Sequence, residues 1–333
     1  MDAKFNTPIL LLVFNRPDTT EKVFQTIKTR KPSRLYIAAD GPRKSIFNED
    51  KLCKRVLEIA TNVDWHCEVK TLVRQENLGC KQAVSKALDW FFSEEEEGII
   101  LEDDCLPSEA FFDFCSEALY RFRDDNSIGI ISGTSFLKAK GTPQIYISPF
   151  MPIWGWAGWR RSWSLTSQTM TNLEEWIDTK ALKNHFPIKA HEAWIINMLI
   201  KAHSGEINSW DIPMFYHLLL NGKLALRISH NLIKNIGYEG TNTNKIPSQH
   251  PSFNMPTLMN LETIKWFLDK DFSKKKNREE SKELISIFHY SKRFDDLNIR
   301  SKIILLTIHP HMFFIVRKLN KIRGNYGKHK RLR

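Results

Sequence analysis

The feature that most constrains this chain is an apolar run that stops abruptly: Gly98-Ile99-Ile100-Leu101 is followed at once by Glu102-Asp103-Asp104. Apolar or small residues without alternation suit a short strand covered on both faces. The acids then stand at the strand's carboxyl end. Ligands of open α/β sheets collect in the crevice outside those ends, and carboxylate oxygens are the donors that a hard divalent cation takes. The triplet reads as a site for Mg2+ or Mn2+, held by one or two of its acids with positions left for phosphate. Taken alone it reads equally well as a solvated turn capping the next helix, because Asp favours turns and caps. The flanking sequence decides between the two.

Strand and helix signals alternate through the first 135 residues. Ile9 to Phe14 is a continuous apolar run, and Asp18-Thr19-Thr20-Glu21 has the form of a capping box opening a helix with Val23, Phe24 and Ile27 on one face. Leu35 to Ala39 is a second strand, ending at the turn Asp40-Gly41-Pro42. Leu52, Val56, Leu57 and Ile59 follow at helical spacing, then a third strand from Glu68 to Val73. Asn77-Leu78-Gly79 breaks the chain before a helix that buries Ala83, Val84, Ala87, Leu88 and Phe91. After the acidic strand come a helix from about Pro107-Ser108, with Phe111, Phe112, Phe114, Cys115 and Leu119, and a strand from Ile128 to Ser132. Strand and helix in this order predict a mostly parallel sheet with helices on both faces. Glu94 to Glu97 reads as a solvated helix end, since like charges repel and stay wet.

Composition removes other classes. Hydrophobic content of 42% and charged content of 26% are ordinary for a globular protein. The five cysteines are odd in number and lack metal-ligand spacing, so they read as reduced thiols, which favours the cytoplasm. The segment Met1 to Pro8 shows no secretory pattern, and no apolar run is long enough to predict a membrane span. Of the net charge of +11, nine Lys or Arg without one acid lie between Ser301 and Arg333, leaving the body near neutral. That placement argues against a basic groove for nucleic acid. The apolar cluster from Ile303 to Val316 before the terminal charges instead suits a peripheral element on an anionic membrane surface.

Three polar features are expected at the carboxyl ends of successive strands: Asn15-Arg16, Asp40-Gly41 and the acidic triplet. One crevice follows, in which Arg16 meets a base or phosphate and Asp40 accepts hydrogen bonds from a base or ribose. There is no Gly-x-Gly-x-x-Gly after the first strand and no Gly-Lys-Ser/Thr loop, which argues against a dinucleotide fold or a P-loop kinase.

In these motifs the sequence resembles a nucleotide-sugar glycosyltransferase of the GT-A type, close to the family-2-like bacterial enzymes. Pro8 to Arg16 with Asp18, Asp40 after the second strand, Arg74 to Gly79 leading into a helix, and Leu101 to Asp104 as a form of the Asp-x-Asp motif match in order and spacing. A more distant similarity runs to the N-acetylglucosaminyltransferase that starts complex N-glycans, which also has a Glu-Asp-Asp motif followed by Phe-Phe. The resemblance covers about residues 7 to 245. It implies that Asp104 contacts the metal, with Glu102 beside it, and that Arg16, Asp40, Asn77, Gly79 and Asp103 serve the nucleotide. It also implies that the aromatic segment at Trp154, Gly155, Trp156 and Trp159 adjoins the donor sugar. On their own these Trp residues read either as an acceptor platform or as core packing.

Ser209-Trp210-Asp211 follows a helix expected from Glu192 to His203. An inverting transfer needs a carboxylate to deprotonate the acceptor hydroxyl, and Asp211 is the candidate; similar transferases carry a Trp-Asp pair here whose Asp is the base. The chain departs from the pattern at Gly240-Thr241-Asn242-Thr243, where related bacterial sequences have a His in place of Asn242. The remaining histidines lack zinc-site spacing.

The expectation is therefore an α/β GT-A fold with a nucleotide-sugar half (1–135), an acceptor and catalytic half of the same domain (136–250), and a helical extension with a basic tail (251–333). The activity expected is metal-dependent, inverting transfer from a nucleotide diphosphate sugar to a glycan or lipid-linked glycan of surface polysaccharide type, in the cytoplasm or on the inner membrane face. Two alternatives stand beside it: a sugar-1-phosphate nucleotidyltransferase, whose usual Gly-rich loop after strand one is absent, and a carbohydrate- or nucleic-acid-binding module, which leaves the acids unexplained.

Overall fold

The apolar runs become the centre of a sheet. The structure is a computed structural model and describes residues 5–138, 140–179, 182, 185–237, 255–260 and 263–288. In the first half lie Ile9–Val13 (β1), Pro17–Arg30 (α1), Arg34–Ala39 (β2), Glu49–Ala60 (α2), Glu68–Val73 (β3), Gly79–Glu94 (α3), Glu97–Glu102 (β4), Cys105–Pro107 (β5), Glu109–Arg121 (α4) and Ile128–Ser132 (β6). The second half contributes Ile145–Ser148 (β7), Trp156–Trp159 (β8), Arg160–Trp163 (α5), Leu173–Asp178 (α6), Lys189–His203 (α7), Asp211–Leu220 (α8), Leu224–Ile228 (β9), Ile233–Asn235 (β10) and Lys270–Phe288 (α9).

Eight strands form one sheet in the order β3-β2-β1-β4-β8-β6-β9-β7, and β10 pairs with β5. β8 runs antiparallel to β4 and β6, and β7 antiparallel to β9, while the other neighbours in the large sheet are parallel. The chain is thus an α/β protein with a mostly parallel sheet flanked by helices. In β1, Ile9, Leu11 and Val13 join a core with Val23, Phe24 and Ile27 of α1, whereas Leu10 and Leu12 join a second core with Ala87, Leu88 and Phe91 of α3. Helices cover both faces, which is why β1, β2 and β4 are nearly unbroken apolar runs, while the edge strand β3 keeps polar residues. Among the described residues no helix is long and apolar enough to cross a membrane.

Local readings change in four places. The capping box does not form: Pro17 starts α1, Arg16 is its N-cap, and no side chain caps it. Proline at the first position is preset for helix and lacks an N–H to satisfy, so Asp18 falls inside the first turn. Glu94 to Glu97 is not a uniformly wet end, because Glu95 is buried and accepts hydrogen bonds from Arg34 Nη1 and the Tyr36 hydroxyl, each at 2.7 Å. Of the apolar residues read at helical spacing in α2, Val56 and Ile59 are buried and Leu52 is exposed. Helix α7 starts at Lys189, ahead of the expected Glu192. Helix α9 falls within the helical extension expected from 251, whereas the strands β7 to β10 and the pairing of β10 with β5 were not read from the sequence.

Helix α9 is bound to the sheet by a buried ion pair. Arg227 of β9 and Glu280 of α9 are almost fully buried, and Arg227 Nη2 donates to Glu280 Oε1 at 2.6 Å and to the Thr134 carbonyl at 2.6 Å. Tyr146 donates its hydroxyl to Glu280 Oε2 at 3.2 Å. Removing one partner strands the other charge in the core, so Arg227→Met is expected to lower stability by about 3–5 kcal/mol. The double variant Arg227→Met/Glu280→Leu should lose less than Arg227→Met alone, read by urea denaturation.

Candidate active site

The parallel register of β1 and β4 sets the site. Leu12 pairs with Glu102, so the residues just past each strand face one another. The Phe14 amide donates to Asp103 Oδ2 at 3.3 Å. Arg16, placed by the turn into α1, donates from Nη1 to Asp104 Oδ2 at 2.6 Å and lies 3.5 Å from Asp103 Oδ1. β5 leaves directly from Asp104 and pairs with β10, whose exit brings the Ile236 amide onto the Asp104 carbonyl at 2.8 Å. Gly237 is required there, since a Cβ would overlap the Asp104 carboxylate.

The carboxylates are short of positive charge. Burial first, then Asp104, Asp103 and Asp211, push Glu102 well above the usual carboxylate range. Asp103 is raised to about 7 by burial and by Asp104, against the opposing pull of Arg16. Burial works against the charge on Arg16, but Asp103, Asp104 and Glu102 outweigh it and the guanidinium is held more firmly protonated. Asp211 is the first residue of α8, and its carboxylate accepts a hydrogen bond from Ser209 Oγ. Burial raises it to about 6, opposed by its own amide and that of Ile212. Cys80, near the start of α3, is exposed yet lies in the same field: the protein packed around it, then Glu102, Asp211, Asp104 and Asp40, raise its thiol above the ordinary range. Clustered groups with shifts of this kind mark a candidate functional site.

Asp40 is placed at this edge in a different state. Its Oδ1 accepts from the Gly41 and Leu78 amides at 3.0 Å each, and its Oδ2 from Asn77 Nδ2 at 3.0 Å and the Gly79 amide at 3.1 Å. A carboxylate has about four acceptor positions, and these contacts occupy Asp40 in a clasp that fixes the Asn77–Gly79 turn. Gly79 has a φ of +75° and open space where a Cβ would stand.

The aromatic segment is mostly core. Trp156 and Trp159 sit on β8, at 2% and 3% exposure, so these rings do not present the expected platform. β8 is inserted between β4 and β6, and burial on both faces is what that position demands. Trp156 stacks behind Trp210 with centroids 6.2 Å apart, backing the residue before Asp211. Trp154 is half-buried against Phe136, with centroids 5.8 Å apart. Gly155 adopts a φ of +63°, and a Cβ there would overlap Ile233 of β10. Sequence reasoning missed Gly237 and Cys80 because each is joined to the site only through tertiary structure, and passed over Ser209 although it lies two residues before Asp211. Gly240 to Thr243 with Asn242, and the tail from 301 to 333, lie outside the described residues.

Among the described residues no group of three or more His, Cys, Asp or Glu side chains is arranged to hold a metal ion unaided. The donor set nevertheless suits a hard cation: Glu102, Asp103 and Asp104 are oxygen donors that, once ionised, carry more negative charge than Arg16 balances. Glu102 and Asp104 are the ligands such an ion would use, with its remaining positions filled from a substrate.

No family model and no curated protein matches the chain. Among solved structures it is similar to HddC from Yersinia pseudotuberculosis, at 14% identity and a TM-score of 0.24 over 43% of this chain and 58% of that one. It is also similar to 4-diphosphocytidyl-2C-methyl-D-erythritol synthase from Anaerococcus prevotii DSM 20548, at 10% identity and a TM-score of 0.27 over 49% of this chain and 75% of that one. The match spans less than two thirds of the length of HddC.

The raised carboxyls give a pH signature. Folded Asp103 and Asp211 keep protons to about pH 7 and 6 that the unfolded chain releases near 3.8. The folded state therefore binds more protons across this window, and stability falls as pH rises through it. Asp103→Asn should flatten that fall, measured by denaturant midpoints from pH 4 to pH 8 in the absence of divalent ions.

Proposed function

We propose that this chain is a glycosyltransferase that moves a sugar from a nucleotide diphosphate donor to a glycan hydroxyl. The observation that carries the reading is the convergence of Arg16, Glu102, Asp103 and Asp104 from the first half with Asp211 from the second at the carboxyl edge of a mostly parallel sheet. Crevices at these strand ends are where open α/β sheets take ligands.

Arg16 is the cation that meets the diphosphate, exchanging part of its contact with Asp104 for phosphate oxygens. The clasp of Asp40 on Asn77, Leu78 and Gly79 holds the opposite wall, with the open space above Gly79 admitting the nucleotide. Bound Mn2+ or Mg2+ would stabilise the charge that develops on the departing diphosphate. Asp211 takes the proton from the acceptor hydroxyl. Burial at a helix start gives it a proton affinity higher than that of a surface Asp, and a base tuned towards the working pH transfers protons more effectively. Inversion follows when the acceptor oxygen attacks directly. The half-buried Trp154 is the ring of its segment with area left to meet a sugar.

Thermal shift, turnover and product analysis test this. Nucleoside diphosphates with Mn2+ should raise the melting temperature by mass action, and one base should do so more than the others. Asp211→Asn should leave that shift intact while lowering turnover by about 10²–10⁴-fold, the usual share of general-base catalysis. Wild-type turnover should show an acid limb near pH 6, because only the ionised Asp211 accepts a proton. Release of pyrophosphate in place of a nucleoside diphosphate would overturn the reading in favour of nucleotidyl transfer.

A further inference from the structure

The loop that follows Asp40 carries an apolar tip that the proposed chemistry does not use. Phe47 is 91% exposed, Ile46 47% and Leu52 43%. Isolated apolar side chains on a surface are ordinary, but these three surround a single helix start. Asn48 caps α2 in the left-handed region at a φ of 60°, which puts Phe47 just before the cap and Leu52 in the first turn. Residues at those two positions usually pack on each other as a hydrophobic staple. At 91% exposure Phe47 has not done so, and the ring is turned to the outside.

The tip is projected by a firm base. Glu49, 1% exposed, accepts hydrogen bonds from the Arg43 amide at 2.7 Å, from Arg43 Nε, and from Asn15 Nδ2 at 2.8 Å. The Arg43 guanidinium also lies over the Phe14 ring, 5.4 Å from its centroid. Both ends of the loop are thereby tied to the residues just past β1, on the edge of the sheet that holds the acids. Gly41 packs against the Glu76 backbone so closely that a Cβ would overlap it.

The rim of the tip is basic. Lys44, Lys51, Lys54 and Arg55 are exposed around it, with Asp50 the exposed acid of the segment 43–55. Lys44 pairs with Glu76 and Arg55 with Glu58, both at the surface where such pairs are weak. Exposed apolar side chains flanked by exposed Lys and Arg complement a bilayer whose headgroups are anionic: the apolar groups enter the acyl boundary and the cations meet phosphate.

We propose that Ile46, Phe47 and Leu52 form a membrane-docking tip that seats the crevice against an anionic lipid surface. The tip consists of residues of the segment 46–52 and does not depend on the reaction assigned to the crevice.

The test is cosedimentation of the full chain with vesicles of phosphatidylcholine alone and of phosphatidylcholine mixed with phosphatidylglycerol. Binding is expected to the mixed vesicles and to weaken with salt. Phe47→Ser should weaken partitioning by about tenfold or more, the scale of removing a buried phenyl group from an apolar phase. Phe47→Leu should keep most of it, and Ile46→Ser/Leu52→Ser should lower it further in a Phe47→Ser background. All are surface changes, so unaltered circular dichroism and melting temperature are expected. Wild-type binding by the Ile46→Ser/Phe47→Ser/Leu52→Ser variant would overturn the proposal and leave adsorption to another basic region. Absence of vesicle binding by the wild type would overturn it too, as would concentration-dependent dimerisation lost in the triple variant, which would assign the tip to a second copy of the chain.

Discussion

Glu102, Asp103, Asp104 and Asp211 lie in one electrostatic field, and Arg16 is the cation in direct contact with two of them. Like charges brought together out of water repel more strongly than at a surface, so this edge of the sheet is held together against its own electrostatics. The elements around it supply the restraint. The register of β1 on β4 fixes Phe14 and Arg16 opposite the triplet, the pairing of β5 with β10 closes over Asp104, and Gly237 allows that approach. A folded chain retains such a cluster at a cost in stability, which is why shifted carboxyls of this kind point to ligand chemistry rather than to structural bracing.

Other buried carboxylates of the protein make the contrast. Asp40 has its acceptor positions filled by N–H donors. Glu49 is held below the ordinary range by Arg43 despite its burial. Glu280 meets the two-pronged guanidinium of Arg227. Each of these is paired and serves to fix a loop or a helix. Chemistry and scaffold are thus distinguished by how well each acid is satisfied, not by residue type or depth.

Much of the first half was legible because its signals are local. Continuous apolar runs between breakers gave β1, β2, β4 and β6, β3 was read although it mixes polar and apolar residues, and the buried faces of α3 and α4 followed from helical spacing. The acids were placed correctly at a strand end because an apolar run and its terminus can be read together. The errors share a cause. The capping-box pattern at Asp18 gave way to Pro17, which sets the helix start by its fixed φ. Glu95 reads as one of four like charges, yet Arg34 and Tyr36 from β2 recruit it to the interior. The Trp154 to Trp159 segment contains both rings and glycines, and only the gap between β4 and β6 makes a strand of it. The pair Arg227 and Glu280 is separated too widely in sequence for any local pattern to join it.

The insertion of β8 also explains how two distant stretches come to share one site. By running against both neighbours it lets β6 continue parallel to β4, so the second half extends the same sheet without another crossover helix at that point. One face of β8 carries Trp156, which backs Trp210, and the next residue in the chain is Asp211 at the head of α8. The strand that looked like a sugar platform therefore acts from behind: it gives Asp211 a packed base, with burial to raise its proton affinity and helix amides to limit that rise. In the proposed reaction this divides the work between the halves. The first supplies charge to meet a diphosphate, and the second supplies a proton acceptor whose position is set by packing, so loss of packing at Trp156 would act on proton transfer rather than on nucleotide binding.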